Sequence, residues 1–132
     1  MTSRISHTTI DCRNAYVLSQ WWKPVLDYTD VPGDPNESGD EECMIIDPLG
    51  GNRLLFIEVP EAKERKNRIH FDLAPTDRRR DPEVERLVAL GAVVVADRRN
   101  DDGTGWVTLA DPEGNELCVL RSDQERASPT VS

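Results

Sequence analysis

Aromatic residues make up only 5% of this 132-residue chain, and histidine occurs only twice. No apolar run approaches the roughly 20 residues needed to cross a bilayer, and the opening Met1-Thr2-Ser3-Arg4 lacks the apolar core of a signal peptide. No membrane association is expected, and a soluble cytoplasmic location is. Cysteine is scarce as well: Cys12, Cys43 and Cys118 are odd in number and far apart. That suits reduced thiols better than a disulfide framework. Positive charge is in deficit, with 16 Lys and Arg against 25 Asp and Glu and a formal net charge of −9. Such a balance argues against nucleic acid or an anionic membrane as the main partner. The basic clusters Arg78-Arg79-Arg80 and Arg98-Arg99 are flanked by Asp and read as solvated turns and helix ends. There is no nucleophile elbow, glycine-rich phosphate loop or paired-cysteine motif. What remains is a hydrophobic content of 37%, gathered in short runs and sufficient for one small core.

The chain is, however, written twice. Ile5-Ser6-His7-Thr8-Thr9-Ile10-Asp11 returns in outline as Arg68-Ile69-His70-Phe71-Asp72-Leu73-Ala74, with His7 and His70 63 residues apart. Asp47-Pro48-Leu49-Gly50-Gly51-Asn52-Arg53-Leu54-Leu55 returns as Asp111-Pro112-Glu113-Gly114-Asn115-Glu116-Leu117-Cys118, and the Gly-Asn-x-Leu cores keep the same offset. Two landmarks with one offset imply two copies of a supersecondary unit.

Each copy reads as β-α-β-β-β, an α+β fold of two tandem modules. In the first, residues 4–11 form a β-branched strand. Asn14 caps a helix with Ala15, Leu18, Trp22 and Leu26 on one stripe, and Pro24 ends or kinks it early. The acidic, turn-rich segment 27–42 holds one short strand and is otherwise a mobile loop. Cys43 to Ile46 and Arg53 to Val59 are strands around the turn Asp47-Pro48-Leu49-Gly50. In the second copy His70 to Leu73 is a strand, and Asp81-Pro82 caps a helix burying Val84, Leu87 and Val88 and stopping at Gly91. Strands follow over Ala92 to Ala96, Trp106 to Leu109 and Leu117 to Leu120. Module one spans about 4–59, the linker 60–67 and module two about 68–121, all in a single domain over 1–124; residues 125–132 are expected to be a disordered tail.

With a histidine opening each copy, Leu90-Gly91-Ala92 and Asp111-Pro112-Glu113-Gly114-Asn115, the chain resembles the vicinal oxygen chelate superfamily of glyoxalases and bleomycin-resistance proteins. Asn67-Arg68-Ile69-His70-Phe71-Asp72-Leu73 and Glu116-Leu117-Cys118-Val119-Leu120 are similar to its compact bacterial glyoxalase-like branch. The resemblance implies two curled mixed sheets facing one another around a central cleft. It also implies metal ligands on the first and last strand of each half. His7 and His70 match the first-strand positions, and Leu55 and Cys118 fall at the last-strand ones. Leu55 cannot bind a metal. His7, His70 and Cys118 could hold Zn²⁺, whereas a harder ion would find no carboxylate in that set. Asp72 and Glu116 share the parity of His70 and Cys118 and could complete the shell.

The same parity places Thr9, Arg53, Leu55, Arg68, Glu116 and Cys118 with His7 as cleft residues. His70 beside Asp72 is the candidate catalytic pair, a general base and its partner. An arginine could grip a carboxylate or phosphate. Trp21 and Trp22 read as packing residues, and Trp106 as a weaker candidate for a ligand wall. The resemblance thus implies a small organic molecule as ligand and a homodimer as assembly. Because the ligand set is incomplete at Leu55, a metal-free small-molecule-binding protein is preferred to a zinc-bearing one. The alternative is a metal-dependent lyase, isomerase or dioxygenase using His7, His70 and Cys118 or Glu116. A metal-free acid–base enzyme built on His70 and Asp72 lies between the two.

Overall fold

The computed structural model describes residues 2–127, and it divides into two compact units whose boundary falls between Lys63 and Glu64. Unit 1 contains β1 (Thr8–Cys12), α1 (Ala15–Leu26), β2 (Thr29–Asp30), β3 (Glu42–Ile46) and β4 (Arg53–Glu58). Unit 2 contains β5 (Phe71–Leu73), α2 (Arg80–Ala89), β6 (Val93–Asp97), β7 (Val107–Ala110), β8 (Glu116–Val119) and α3 (Asp123–Ala127). Each unit holds a four-stranded mixed sheet, ordered β1-β4-β3-β2 in one and β5-β8-β7-β6 in the other. The first strand of each runs parallel to the last, and the other pairs are antiparallel. A parallel pairing needs a crossover, here the helix and the two strands between. The fold is α+β, as the sequence pattern indicates.

Alternation gives each sheet two unlike faces. In unit 1 the face packed against α1 carries Cys12, Cys43, Ile45, Leu54 and Phe56, all buried. Against them α1 sets Ala15, Leu18, Ser19, Trp22 and Val25. The expected stripe therefore needs one change: Val25 is buried, while Leu26 is only half-buried. The Asn14 side chain accepts a hydrogen bond from Val17 N–H at 3.0 Å, an N-cap at the expected position. Pro24 does not end the helix, which runs to Leu26 and closes on Asp27 in the left-handed region at φ 57°. Pro24 is exposed, and burial of Trp22 and Val25 on either side of it holds the backbone helical across the missing donor.

Segment 27–42 is more tied down than a mobile loop at its start. Thr29 and Asp30 pair with Ile46 and Ile45, and Asp30 accepts hydrogen bonds from Lys23 and Asn36. Asn36 Nδ2 also donates to the carbonyl of Met44 at 2.8 Å.

In unit 2 the packed face holds Val107, Leu109, Leu117 and Val119 beneath Val84 and Leu87 of α2. The helix departs from expectation at its start. Arg79, not Asp81, is the N-cap residue, and it makes no side-chain cap bond. The carboxylate of Glu125 takes that role, accepting from Arg80 N–H at 2.6 Å and from Ser122 N–H at 3.0 Å. An acceptor from elsewhere in the sequence thus lets the helix begin before Asp81-Pro82. Arg80 is buried rather than solvated, with Nη1 donating to the carbonyls of Gly103, Thr104 and Gly105. Gly105, at φ 96°, has no room for a Cβ against the Arg98 carbonyl, so this turn requires glycine. Val88, expected in the buried stripe, is exposed, and Arg80 and Glu83 are buried instead. β6 sits one residue later than read, and Val93, Val94 and Val95 are all exposed on this edge strand, which carries a bulge between Val94 and Ala96. Residues 125–127 of the expected tail are the last residues of α3, and 128–132 lie outside the described residues. No helix among the described residues is long and apolar enough to cross a membrane.

Candidate functional site

The other face of the unit 2 sheet, away from α2, carries the polar chemistry. Asp72 of β5 is in register with Cys118 of β8, Cys118 with Thr108 of β7, and Thr108 with Ala96 of β6. Side chains in such a row share one face. Neighbouring positions of the same parity add His70, Trp106, Glu116 and Leu120. Together with Lys66, Val95 and Arg98, these side chains line a cavity of about 480 Å³.

Three possible donors converge on its lining. One ligand atom from each of His70, Asp72 and Cys118 lies within 4.8 Å of the other two. His70 Nδ1 is 3.0 Å from Asp72 Oδ1. A carboxylate there accepts from Nδ1–H, which fixes the tautomer and leaves Nε2 as the basic nitrogen. Cys118 is only 7% exposed, and its Sγ is 3.4 Å from Thr108 Oγ1. Burial pushes the Cys118 thiol above its ordinary value; the Thr108 hydrogen bond opposes this, and the charges of Asp72 and Glu116 reinforce it. The group therefore rests as a thiol near neutral pH. Glu116, itself largely buried, receives Lys66 Nζ at 3.1 and 2.9 Å. Its backbone N–H donates to Asn67 Oδ1, so residues 66–67 are stitched to the start of β8.

The structure thus brings together His70, Asp72, Glu116 and Cys118 of the sequence candidates. Arg68 is exposed and does not line the cavity. The remaining candidates lie in unit 1. Thr9 and Leu55 are in register on that sheet's open face, with Arg53 two residues before Leu55 and exposed. His7 precedes β1, half-buried, with Nδ1 3.0 Å from Ser6 Oγ. Lys66, Thr108 and Arg98 were not singled out from sequence. Thr108 could have been found by carrying the parity of Cys118 across to β7. Arg98 was hidden in a basic pair that reads as a solvated turn, and Lys66 in the linker.

The glyoxalase-like domain family matches residues 7–120 of the chain. No curated protein sequence matches it. Among solved structures, the fold is similar to that of the fosfomycin resistance protein FosX from Listeria monocytogenes, crystallised with Mn(II) and sulfate. The TM-score there is 0.69 at 17% identity, covering 95% of this chain and 94% of the other. FosX from Mesorhizobium loti gives 0.65 at 17% identity, with 96% and 98% covered. Lactoylglutathione lyase from Agrobacterium tumefaciens gives 0.61 at 20% identity, with 93% and 96% covered. At these identities the likeness is one of fold.

Proposed function

Since the chain belongs to the glyoxalase-like domain family of the vicinal oxygen chelate superfamily, we propose that it binds a small organic molecule in the unit 2 cavity without needing a metal. The observation that carries this reading is the cavity of about 480 Å³ with His70, Asp72 and Cys118 together on its lining. Its size suits a small ligand, and its mixture of apolar wall and few polar groups is that of a binding pocket. Burial holds Cys118 as a thiol, which would have to give up its proton before a metal could bind. If the bound molecule reacts, His70 Nε2 is the base and Asp72 stabilises the imidazolium as the proton arrives.

The reading is tested by titrating isotope-labelled protein, purified without chelator, with a panel of small organic molecules and following backbone amide resonances. Ligands should shift the amides of β5, β7 and β8 around the cavity. No ligand, or shifts confined to other surfaces, would overturn it.

A second reading rests on the same cluster. His70, Asp72 and Cys118 offer nitrogen, oxygen and sulfur donors, a set that fits Zn²⁺ with one open position and fits a hard ion such as Mn²⁺ poorly. Zinc bound there would supply Lewis acidity toward a ligand oxygen. Elemental analysis decides between the two. Stoichiometric zinc that is lost on Cys118→Ser would establish this second reading, and its absence would overturn it.

A further inference from the structure

Two cationic side chains line the cavity, Lys66 and Arg98, and only one of them has an acidic partner. Two carboxylates line it, Asp72 and Glu116. Glu116 is matched by Lys66 at 2.9 Å, and Asp72 by His70 at 3.0 Å. Arg98 remains. Among the described residues its guanidinium has no hydrogen bond or ion pair, although its backbone N–H donates to the Trp106 carbonyl at 2.9 Å. The contrast with its neighbour is direct: Arg99 is held by Asp97 at 2.6 Å and Asp81 at 3.1 Å. The same backbone bond fixes Arg98 next to Trp106, a residue that is 43% exposed although it lines the cavity. Val95 and Leu120 complete an apolar wall there. An exposed indole, an unmatched guanidinium and aliphatic side chains make a site for one kind of molecule.

We infer that the cavity's ligand is a small molecule with a flat apolar body and one oxyanion group, the body lying on Trp106 and the oxyanion on Arg98. This rests on the small-molecule reading above and adds the ligand's chemical class. A guanidinium presents paired N–H donors in a plane, which matches a carboxylate. Burying a neutral polar group beside Arg98 would forgo that match. A dianion would gain little more, since Lys66 is already committed to Glu116.

The test uses two probes that share one flat ring system, the anionic naphthoate and the neutral naphthylmethanol, titrated into the full chain. The readout is the indole N–H resonance of Trp106, assigned by its disappearance in Trp106→Phe. Naphthoate should shift this resonance at concentrations where naphthylmethanol does not. Arg98→Gln should weaken naphthoate about tenfold, as the loss of a charge-assisted hydrogen bond does, while leaving naphthylmethanol unchanged. Arg98→Lys should recover part of the affinity, and raised salt should weaken naphthoate alone. Arg98 is exposed, so neither substitution threatens folding. Equal binding of both probes, or indifference of naphthoate to Arg98→Gln, would overturn the oxyanion assignment and leave the cavity a binding site. No perturbation of Trp106 by either probe, at millimolar concentration, would overturn the assignment of this wall. If no cavity amide moved either, the binding reading itself would fail.

Discussion

The two units have the same sheet order and the same alternation, yet their open faces carry opposite chemistry. Where unit 2 presents Asp72, Cys118 and Thr108 in one row, unit 1 presents Thr9, Leu55 and Met44 at the corresponding places. Glu116 corresponds to Arg53. The packed faces, in contrast, are interchangeable in kind: Leu54 and Phe56 on β4 against Leu117 and Val119 on β8, all buried. A duplicated fold must keep its apolar face in each copy, because that face holds the sheet to its helix. It is free to lose polar groups from the other face in one copy. Two differences of that sort, Thr9 for Asp72 and Leu55 for Cys118, suffice to remove a His–Asp–Cys cluster without touching the fold, although His7 is kept.

The largest effect expected from this comparison is on the packed faces. Phe56→Ala in unit 1 and Leu117→Ala in unit 2 both empty fully buried space and should cost about 3 to 5 kcal/mol each in denaturant unfolding. If either cost well under about 1 kcal/mol, that unit's helix-covered face would not be what stabilises it.

A smaller effect concerns the open faces. Replacing Asp72 by its unit 1 counterpart, as Asp72→Thr, removes a negative charge that helps hold the Cys118 thiol above its ordinary value. More thiolate should then form at a given mildly alkaline pH, and alkylation of Cys118 by iodoacetamide should speed up measurably. Mass spectrometry of the modified peptide distinguishes Cys118 from Cys12 and Cys43, which should not change. An unchanged rate at Cys118 would show that the carboxylate does not reach the thiol, and the cluster would lose its coherence.

Much of this was legible before any coordinates. The offset of 63 residues between the two histidines foretold two like modules, and period-two alternation foretold that His70, Asp72, Glu116 and Cys118 share a face. What escaped the sequence were contacts between distant segments. Pro24 reads as a helix breaker because propensity is local, whereas Trp22 and Val25 are held by strands far along the chain. Asp81-Pro82 reads as a helix start because the competing acceptor, Glu125, lies 45 residues beyond Arg80. Arg98 reads as a solvated charge because no local signal separates it from Arg99, which is the one actually paired. Local patterns therefore revealed which residues share a face, and long-range pairing determined which charges are left over.

The two helix caps extend the contrast to the smallest of the expected effects. α1 is capped by Asn14, a neutral side chain within its own turn, and α2 by Glu125, an anion brought from α3. Either truncation, Asn14→Ala or Glu125→Ala, should cost about 1 kcal/mol at neutral pH. Their pH dependence should differ. Burial alone would raise the carboxyl of Glu125, but hydrogen bonds from the Ser122 and Arg80 backbones hold it below its ordinary value of 4.5. A carboxyl depressed in the folded state contributes its full stabilisation above the unfolded value and loses it as pH falls through the folded one. The cost of Glu125→Ala should therefore be constant above about pH 4.5 and shrink below it, because the protonated carboxyl gives up its charge at the helix N-terminus. The cost of Asn14→Ala has no titrating group behind it and should stay level over the same range. Each variant is compared with the parent chain at each pH, so acid-sensitive groups common to both, such as Asp30, cancel. A Glu125→Ala penalty that held level into acid would mean the carboxylate acts only as a neutral acceptor, and the electrostatic distinction between the two caps would disappear.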